Sequence, residues 1–370
     1  MLSRGKWEGV NSVTPGVSVS VTIIMPVRNE ARYIRRSLGS VLSQDYPHGR
    51  MEILIVDGIS DDGTREIVSD FKYQVAACES DESSVGEGDQ EIPKSQTAIR
   101  ILDNPACITP AALNVGLRHA RGEIIILVGG HCEIAPDYVR RCIEVLHQTG
   151  ADCVGGPIAA VGETPVAQAV ALAQSSPFGT GGVAFRTGSK RQGYVDTVAF
   201  GAYHREVFDR VGGFDEEMLY TEDDEFNFRL VQTGGKIWLD PSIRSIYYSR
   251  TSLCELWRQY FQYGFRKVRL IQKRGAVPSW RHLVPGAFVL SLLGSLLLAL
   301  LTGQVLWVLA VAGPYVIVNG LASLWSGRYA WSTLPILPLV FLILHLAYGL
   351  GFLWGVWHWQ GYGILNLGAR

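Results

Sequence analysis

Apolar positions in this chain follow two periods and then abandon both. Through the first 250 residues, short β-branched runs alternate with stretches whose apolar residues recur every three or four positions. "SVTIIMPV" reads as a strand, and "EARYIRRSLGSVLSQ" sets Tyr33, Ile34, Leu38, Val41 and Leu42 on one helical face. "MEILIVDG" is a second strand, followed by the helix "GTREIVSDFK"; strands at "AIRILD" and "EIIILV" then flank the helix "PAALNVGLRHA". Strands that alternate with helices predict right-handed crossovers and a mostly parallel α/β sheet covered on both faces.

From Leu283 to Trp357 the only Lys, Arg, Asp or Glu is Arg328. Polar or Gly-rich breaks divide this stretch into spans at about 283–301, 305–325 and 334–357, each near the roughly 20 residues a bilayer-crossing helix requires. Arg258, Arg266, Lys267, Arg269, Lys273, Arg274 and Arg281 crowd the approach to the first span. Such a cluster predicts a multi-pass protein of the plasma (inner) membrane with its N-terminal part cytoplasmic, an orientation that Arg328 also fits. Residues 251–282 alternate apolar and basic faces, as helices lying in the interface plane do. Gly351 and Gly355 form a small-xxx-small pair that predicts close helix packing.

Charge and cysteine content narrow the partners. A net charge of -1 over 370 residues excludes a general nucleic-acid binder, which needs a basic excess or stripe. The six cysteines contain no CxxC pair, so neither a zinc site nor a disulfide framework is expected. Residues 1–17 lack an apolar signal core and read as a mobile tail; 18–250 form the α/β domain, and the acidic stretch at 79–97 reads as a surface loop.

The chemistry sits where strands end. "MPVRNE" and "VDGISDDGT" both begin at such ends, where backbone N–H groups and helix dipoles receive anions. Asp61, Asp62 and Gly63 read as turn and cap residues, whereas Asp57, directly after a buried strand, suits hydrogen bonds from a base or ribose. "IIILVGGHCEIAPDYV" delivers Gly129, Gly130, His131, Cys132 and Glu133 from a third strand. Glu222, Asp223, Asp224 and Glu225 open a partly buried helix, where acids either serve the helix dipole or hold a general base near a hydroxyl.

Taken in order, "MPVRNE", "VDGISDDGT", "LDNP" with "ALNVGLRHARGE", the strand-end cluster, "FGAYHREVFDRVGGFDE", "TEDDEFNFRL" and "RQYFQYGFRK" resemble the inverting family 2 glycosyltransferases with a GT-A fold. More narrowly, they resemble the membrane-anchored branch typified by succinoglycan-biosynthesis glucosyltransferases. The resemblance runs from about Val19 to Arg274 and on into the spans. It implies that Pro26, Arg28, Glu30 and Asp57 cradle the nucleotide, with Asp103 and Asn114 on the uracil side. It implies Asp223 as the base, oriented by Glu222 or Asp224, and a UDP-sugar donor with a lipid-linked saccharide acceptor on polyprenyl diphosphate. "QYFQY" resembles a drifted Q-x-x-R-W in which Gln259 is kept, Gln262 replaces Arg and Tyr263 replaces Trp. Diphosphate charge then falls to Arg266, Lys267 or Arg186, although Arg266 and Lys267 equally suit anionic lipid.

The family's metal-binding triplet, often Asp-x-His in this branch, reads Gly129, Gly130, His131 here. If the segment stays extended, residues 129, 131 and 133 face one way, and His131 with Glu133 would ligate a divalent cation, Mn²⁺ more readily than Mg²⁺. A Gly-Gly turn without metal is the alternative. Two other classes stay open on sequence alone: a catalytically silent nucleotide-sugar-binding membrane protein, and a transporter, for which the spans offer only His345 as an ionisable group.

Overall fold

The structure, a computed structural model, describes residues 19–71, 97–188, 191–275, 277 and 279–359. The expected N-terminal tail and nearly all of the acidic 79–97 stretch lie outside the described residues. In chain order the elements begin with β1 (Val21–Val27), α1 (Ile34–Leu42), β2 (Met51–Asp57), α2 (64–71), β3 (Ala98–Asp103) and α3 (Thr109–His119). They continue with β4 (Ile124–Leu127), β5 (Cys132–Ile134), α4 (Tyr138–Thr149), β6 (Cys153–Gly156), β7 (Ile158–Val161), α5 (Pro165–Gln174) and α6 (Pro177–Thr180). Next come β8 (Gly193–Val195), β9 (Ala199–His204), α7 (Arg205–Val211), α8 (Glu222–Gln232), β10 (Ile237–Leu239) and β11 (Ser245–Tyr248). Four long helices end the described chain: α9 (Leu253–Arg274), α10 (Val284–Thr302), α11 (Leu306–Gly327) and α12 (Leu337–Trp359). The chain divides into two compact units, one of Leu2–Ile158 with Ser189–Tyr247 and one of Ala159–Gly188 with Tyr248–Arg370.

The first unit is built on an eight-stranded sheet of order β3-β2-β1-β4-β9-β6-β10-β8. The expected parallel arrangement holds across β3-β2-β1-β4 and between β6 and β10, whereas β9 and β8 run antiparallel to their neighbours. Both faces of β1, β2 and β4 are covered, so these strands are largely apolar rather than alternating, whereas β3 at the edge keeps Arg100 and exposed ends. Ile23, Met25, Ile53, Ile55 and Ile126 face a core shared with Ile34, Leu38, Val41, Tyr138 and Val139. On the other face Ile24 packs so closely beneath α3 that a Cβ on Gly116 would sit 2.4 Å from its Cγ2. Parallel register aligns Val27 with Asp57 and Asp57 with Asp103, which places three strand ends side by side.

In the second unit, Thr164 caps α5 by accepting from the Ala167 N–H at 3.2 Å, and Ser252 caps α9 by accepting from the Glu255 N–H at 3.3 Å. Three helices are long and apolar enough to cross a membrane, at Trp280–Thr302, Leu306–Gly327 and Leu337–Trp359. The small-xxx-small pair does pack a helix: Gly351 lies under the Phe261 carbonyl and Gly355 under the Phe265 carbonyl of α9.

Gly156, at the end of β6, tests this packing most sharply, because a Cβ there would lie 1.6 Å from the Ile243 carbonyl oxygen. Overpacking costs about 1–3 kcal/mol where side chains can give way, and a backbone oxygen gives way poorly. Gly156→Ala is expected to lower the thermal unfolding midpoint of the purified protein by several degrees, measured by intrinsic fluorescence in detergent.

Candidate active site

Residues at the ends of β1, β2 and β3 tie one another down. Asp57, buried, accepts from Ser60 Oγ at 2.6 Å and from Arg65 Nη1 at 3.4 Å. The same Arg65 nitrogen donates to exposed Asp103 at 2.5 Å, which holds the guanidinium above its ordinary pKa. Arg28 crosses Gly58 and donates to the Cys107 carbonyl beyond β3 at 2.9 Å. Asp62 caps α2 as expected: its Oδ1 accepts from the Thr64 N–H at 3.0 Å, and its Oδ2 accepts from the Ala31 N–H at 3.0 Å. Pro26 lies inside β1, opposite Val56. Arg65 is the residue the sequence reading missed; its signal was a cation in the first turn of a helix that directly follows an acidic strand end.

Backbone conformation adds a second mark. Among the described residues, the non-glycine positions with left-handed φ are Asn29, Ile59, Cys107, Phe200 and Tyr220. Three of these follow β1, β2 and β3, and Tyr220 leads into α8. β-Branched Ile59 at φ 57° is a costly choice, and strain of this kind gathers where a ligand is held.

The stretch after β4 departs from the extended course expected of it. It turns at Gly130 and His131, with the Cys132 N–H donating to the Gly129 carbonyl at 3.2 Å. Two glycines and a close neighbour cause the turn: a Cβ on Gly130 would lie 2.9 Å from Glu30 Cγ and 3.1 Å from Val27 Cγ1. Ser37 Oγ donates to the Gly129 carbonyl at 3.0 Å and His131 Nδ1 meets Glu30 Oε1 at 2.7 Å, so the turn is fastened to the start of α1. His131 therefore lies in a turn and not in one extended run with Glu133. Glu133 belongs to β5, opposite Ile246 of β11.

These donors do not fit a protein-held divalent cation. No three His, Cys, Asp or Glu side chains converge on an ion-sized point among the described residues, so Glu133 does not join the Glu30–His131 pair. Glu30 Oε1, 2.7 Å from Nδ1, orients the His131 ring. Asn114 likewise has other partners. Its amide donates to the Phe214 carbonyl at 2.9 Å and to Glu216 at 3.0 Å, and accepts from the Phe214 N–H at 2.8 Å, pinning the loop that carries Asp215.

Glu222 and Asp223, in the first turn of α8, are strongly perturbed carboxyl groups. Glu222 and Asp223 keep part of their surface accessible, yet their carboxyl groups are enclosed, and Glu222 Oε2 is buried with no hydrogen-bond partner among the described residues. Burial raises both above the carboxylate range. For Glu222 the charges of Asp223 and then Asp224 add to it, and for Asp223 the charge of Asp224 does. Asp223 lies close enough to Cys153 and Tyr203 to raise both groups through its charge. The Tyr203 hydroxyl donates to Asn227 at 3.0 Å, and Asn227 to Thr197 at 2.9 Å, which fixes the helix against β9. Raised, water-poor carboxyl groups on a rigid helix are suited to moving a proton near neutral pH.

The remaining expected residues belong to the second unit. Gln259 is buried on α9 and donates to the Tyr263 hydroxyl at 2.9 Å, while Gln262 is half-buried one helical step on. Arg266 lies over Phe265 and Arg186 over Phe185, both at 5.5 Å.

Comparison with known proteins agrees with this architecture. The family model for glycosyl transferase family 2 matches residues 22–86 and 97–212. The succinoglycan biosynthesis protein ExoA of Rhizobium meliloti (strain 1021) is 30% identical over 348 residues, covering 90% of this chain and 94% of that one. A dolichyl N-acetyl-alpha-D-glucosaminyl phosphate 3-beta-D-2,3-diacetamido-2,3-dideoxy-beta-D-glucuronosyltransferase of Methanococcus voltae is 27% identical over 336 residues, 89% of this chain and 95% of that one. Among solved structures, the mannosyltransferase PcManGT from Pyrobaculum calidifontis, in complex with GDP-Man and Mn²⁺, superposes with a TM-score of 0.54 at 18% identity, covering 95% of this chain and 91% of that one. That likeness concerns the fold, which is GT-A. The protein belongs to glycosyltransferase family 2 and is a glycosyltransferase carried on a GT-A domain with apolar C-terminal helices.

Proposed function

We propose that this enzyme moves a sugar from a UDP-sugar to a lipid-linked saccharide, such as a polyprenyl diphosphate glycan, at the membrane surface and with inversion to a β-linkage. The observation that carries the reading is the enclosed Glu222–Asp223 pair at the mouth of α8, in a domain whose β1, β2 and β3 ends gather Arg28, Asp57 and Asp103. Names of similar proteins that specify succinoglycan and dolichyl-phosphate glycan synthesis support the lipid-linked acceptor. The basic approach to α10 and the apolar helices support placement on the cytoplasmic face of the plasma membrane.

In this mechanism an acceptor hydroxyl oxygen attacks the anomeric carbon as the bond from that carbon to the diphosphate oxygen breaks. The electron pair leaves with UDP, and the hydroxyl proton passes to Asp223. Glu222 and Asp224 set the basicity of Asp223 through burial and charge. Arg28, Asp57 and Asp103 hold the nucleoside; Gln259, Tyr263, Arg266 and Arg186 serve the diphosphate and acceptor. Any Mn²⁺ or Mg²⁺ arrives as the counter-ion of the donor diphosphate and is part of the substrate.

A membrane preparation given UDP-glucose, other nucleotide sugars and polyprenyl-linked acceptors is expected to release UDP from at least one UDP-sugar. Release from no donor would overturn the reading. Asp223→Asn is expected to lower turnover by about 10²–10⁴-fold. Only ionised Asp223 accepts the proton, so the rate rises with pH through its raised value, and the acidic limb of kcat/KM lies well above the ~4 of an ordinary aspartate. Asp224→Asn removes the neighbouring charge and shifts that limb to lower pH, as measured in buffers of constant ionic strength.

Gly129→Asp restores a carboxylate where the family carries one; its Cβ would meet Cys132 Sγ at 3.2 Å and the Phe200 ring at 3.5 Å, which a small shift accommodates. Calorimetric UDP titrations at stepped Mn²⁺ should show tighter metal dependence in this variant. An unchanged titration would count against Gly129 as the vacated ligand position.

A further inference from the structure

Of the three apolar helices, α12 differs from the others in what surrounds it. Within its most apolar stretch 44% is buried inside the protein, against 17% and 11% for the spans of α10 and α11. Leucines point outward all around α10 and α11, whereas α12 exposes Leu339, Leu350, Trp354 and Trp357 on one side and buries Val340, Leu344, Ala347, Gly351 and Gly355.

The buried side faces elements that do not belong in hydrocarbon. α9 and α12 run parallel and very close. A Cβ on Gly264 would lie 2.0 Å from the Tyr348 carbonyl oxygen and one on Gly351 2.1 Å from that of Phe261, while Gln272 Nε2 donates to the Trp359 carbonyl at 3.2 Å. The later half of α9 carries Arg266, Lys267, Arg269, Lys273 and Arg274. Each cation taken to the bilayer centre is heavily penalised, so α9 stays at the interface and the later half of α12 stays with it. The earlier half packs on α5 through Phe341, Leu344 and Ala347, and His345 Nε2 meets the Phe178 carbonyl at 2.8 Å.

The contacts of α12 with α10 include the first turn of α10, and those with α11 run from Gly327 back through Asn319, whose amide donates to the Pro338 carbonyl at 3.0 Å, to Tyr315. Gly327, closing α11, lies against Leu334 and Leu337; Gly349 lies under the Pro285 carbonyl and Gly286 under the Phe352 ring, in the first turn of α10. Tyr315, stacked on Phe288, brings its hydroxyl to His345 Nδ1 at 3.0 Å. These contacts place α12 against the half of the hairpin away from its Gly303 tip.

We infer that only α10 and α11 cross the bilayer, and that α12 lies in the leaflet alongside α9, with Leu339, Leu350, Trp354 and Trp357 against the acyl chains. Uniform apolarity along α12 follows, because one side meets protein and the other lipid. The inference does not depend on donor or acceptor. It returns the chain after Trp359 to the side on which the chain entered at α10.

Reporter fusions to the full chain after Arg370 decide the topology, with the same reporters at the N-terminus as reference. Green fluorescent protein is expected to fluoresce and alkaline phosphatase to stay inactive at both ends; an active C-terminal phosphatase in cells would overturn the inference. A spin-labelled amino acid placed in turn at Leu339, Leu350 and Trp357 in vesicles containing anionic lipid gives depth directly. Equal depths are expected, whereas a spanning helix would separate the first and last by about 27 Å at 1.5 Å per residue.

Discussion

Parallel pairing of β1, β2 and β3 is the constraint on which the strand-end cluster of this enzyme depends. Register alone brings the ends of three strands level, and each end then supplies a different kind of group: the Arg28 guanidinium after β1, the buried Asp57 carboxylate, and the exposed Asp103 carboxylate. Antiparallel strands would scatter these ends to opposite edges of the sheet. Because the connections after β1, β2 and β3 must turn sharply into helices, they also collect left-handed backbone at Asn29, Ile59 and Cys107.

Charge in this unit is managed by side-chain pairing and by burial. Arg65 bridges Asp57 and Asp103, and Glu30 meets His131, so each strand-end acid has a partner. The α8 acids are treated differently. Enclosed side by side, the Glu222 and Asp223 carboxyl groups resist ionisation, which lowers stability at neutral pH in exchange for proton affinity.

The alternation of strand and helix was legible in the sequence because its periods are strong, and the strand-end acids stood out because Asp57 follows an unbroken apolar run. The course of the 129–133 segment was not legible. Its extended reading rested on local alternation, whereas its turn is imposed by Glu30, Val27 and Ser37, about a hundred residues away in the chain. Asn114 shows the same limit: an amide in a helix gives no sign that it will bond a loop a hundred residues later. The α8 cluster was visible, but its raised protonation came only from enclosure, which composition does not carry. Hydropathy likewise reads α12 as equal to α10 and α11, because it reports how apolar a helix is and not whether lipid or protein supplies the apolar surroundings.

The link between α10 and α11 is only Gly303, Gln304 and Val305, with Gly303 at φ 68° closing the hairpin. With α12 held in the leaflet, that three-residue tip is the whole of what the described chain offers beyond the far headgroups. So short a tip leaves a partner little to grip at that end of the hairpin, and contact with the two helices runs through their apolar flanks.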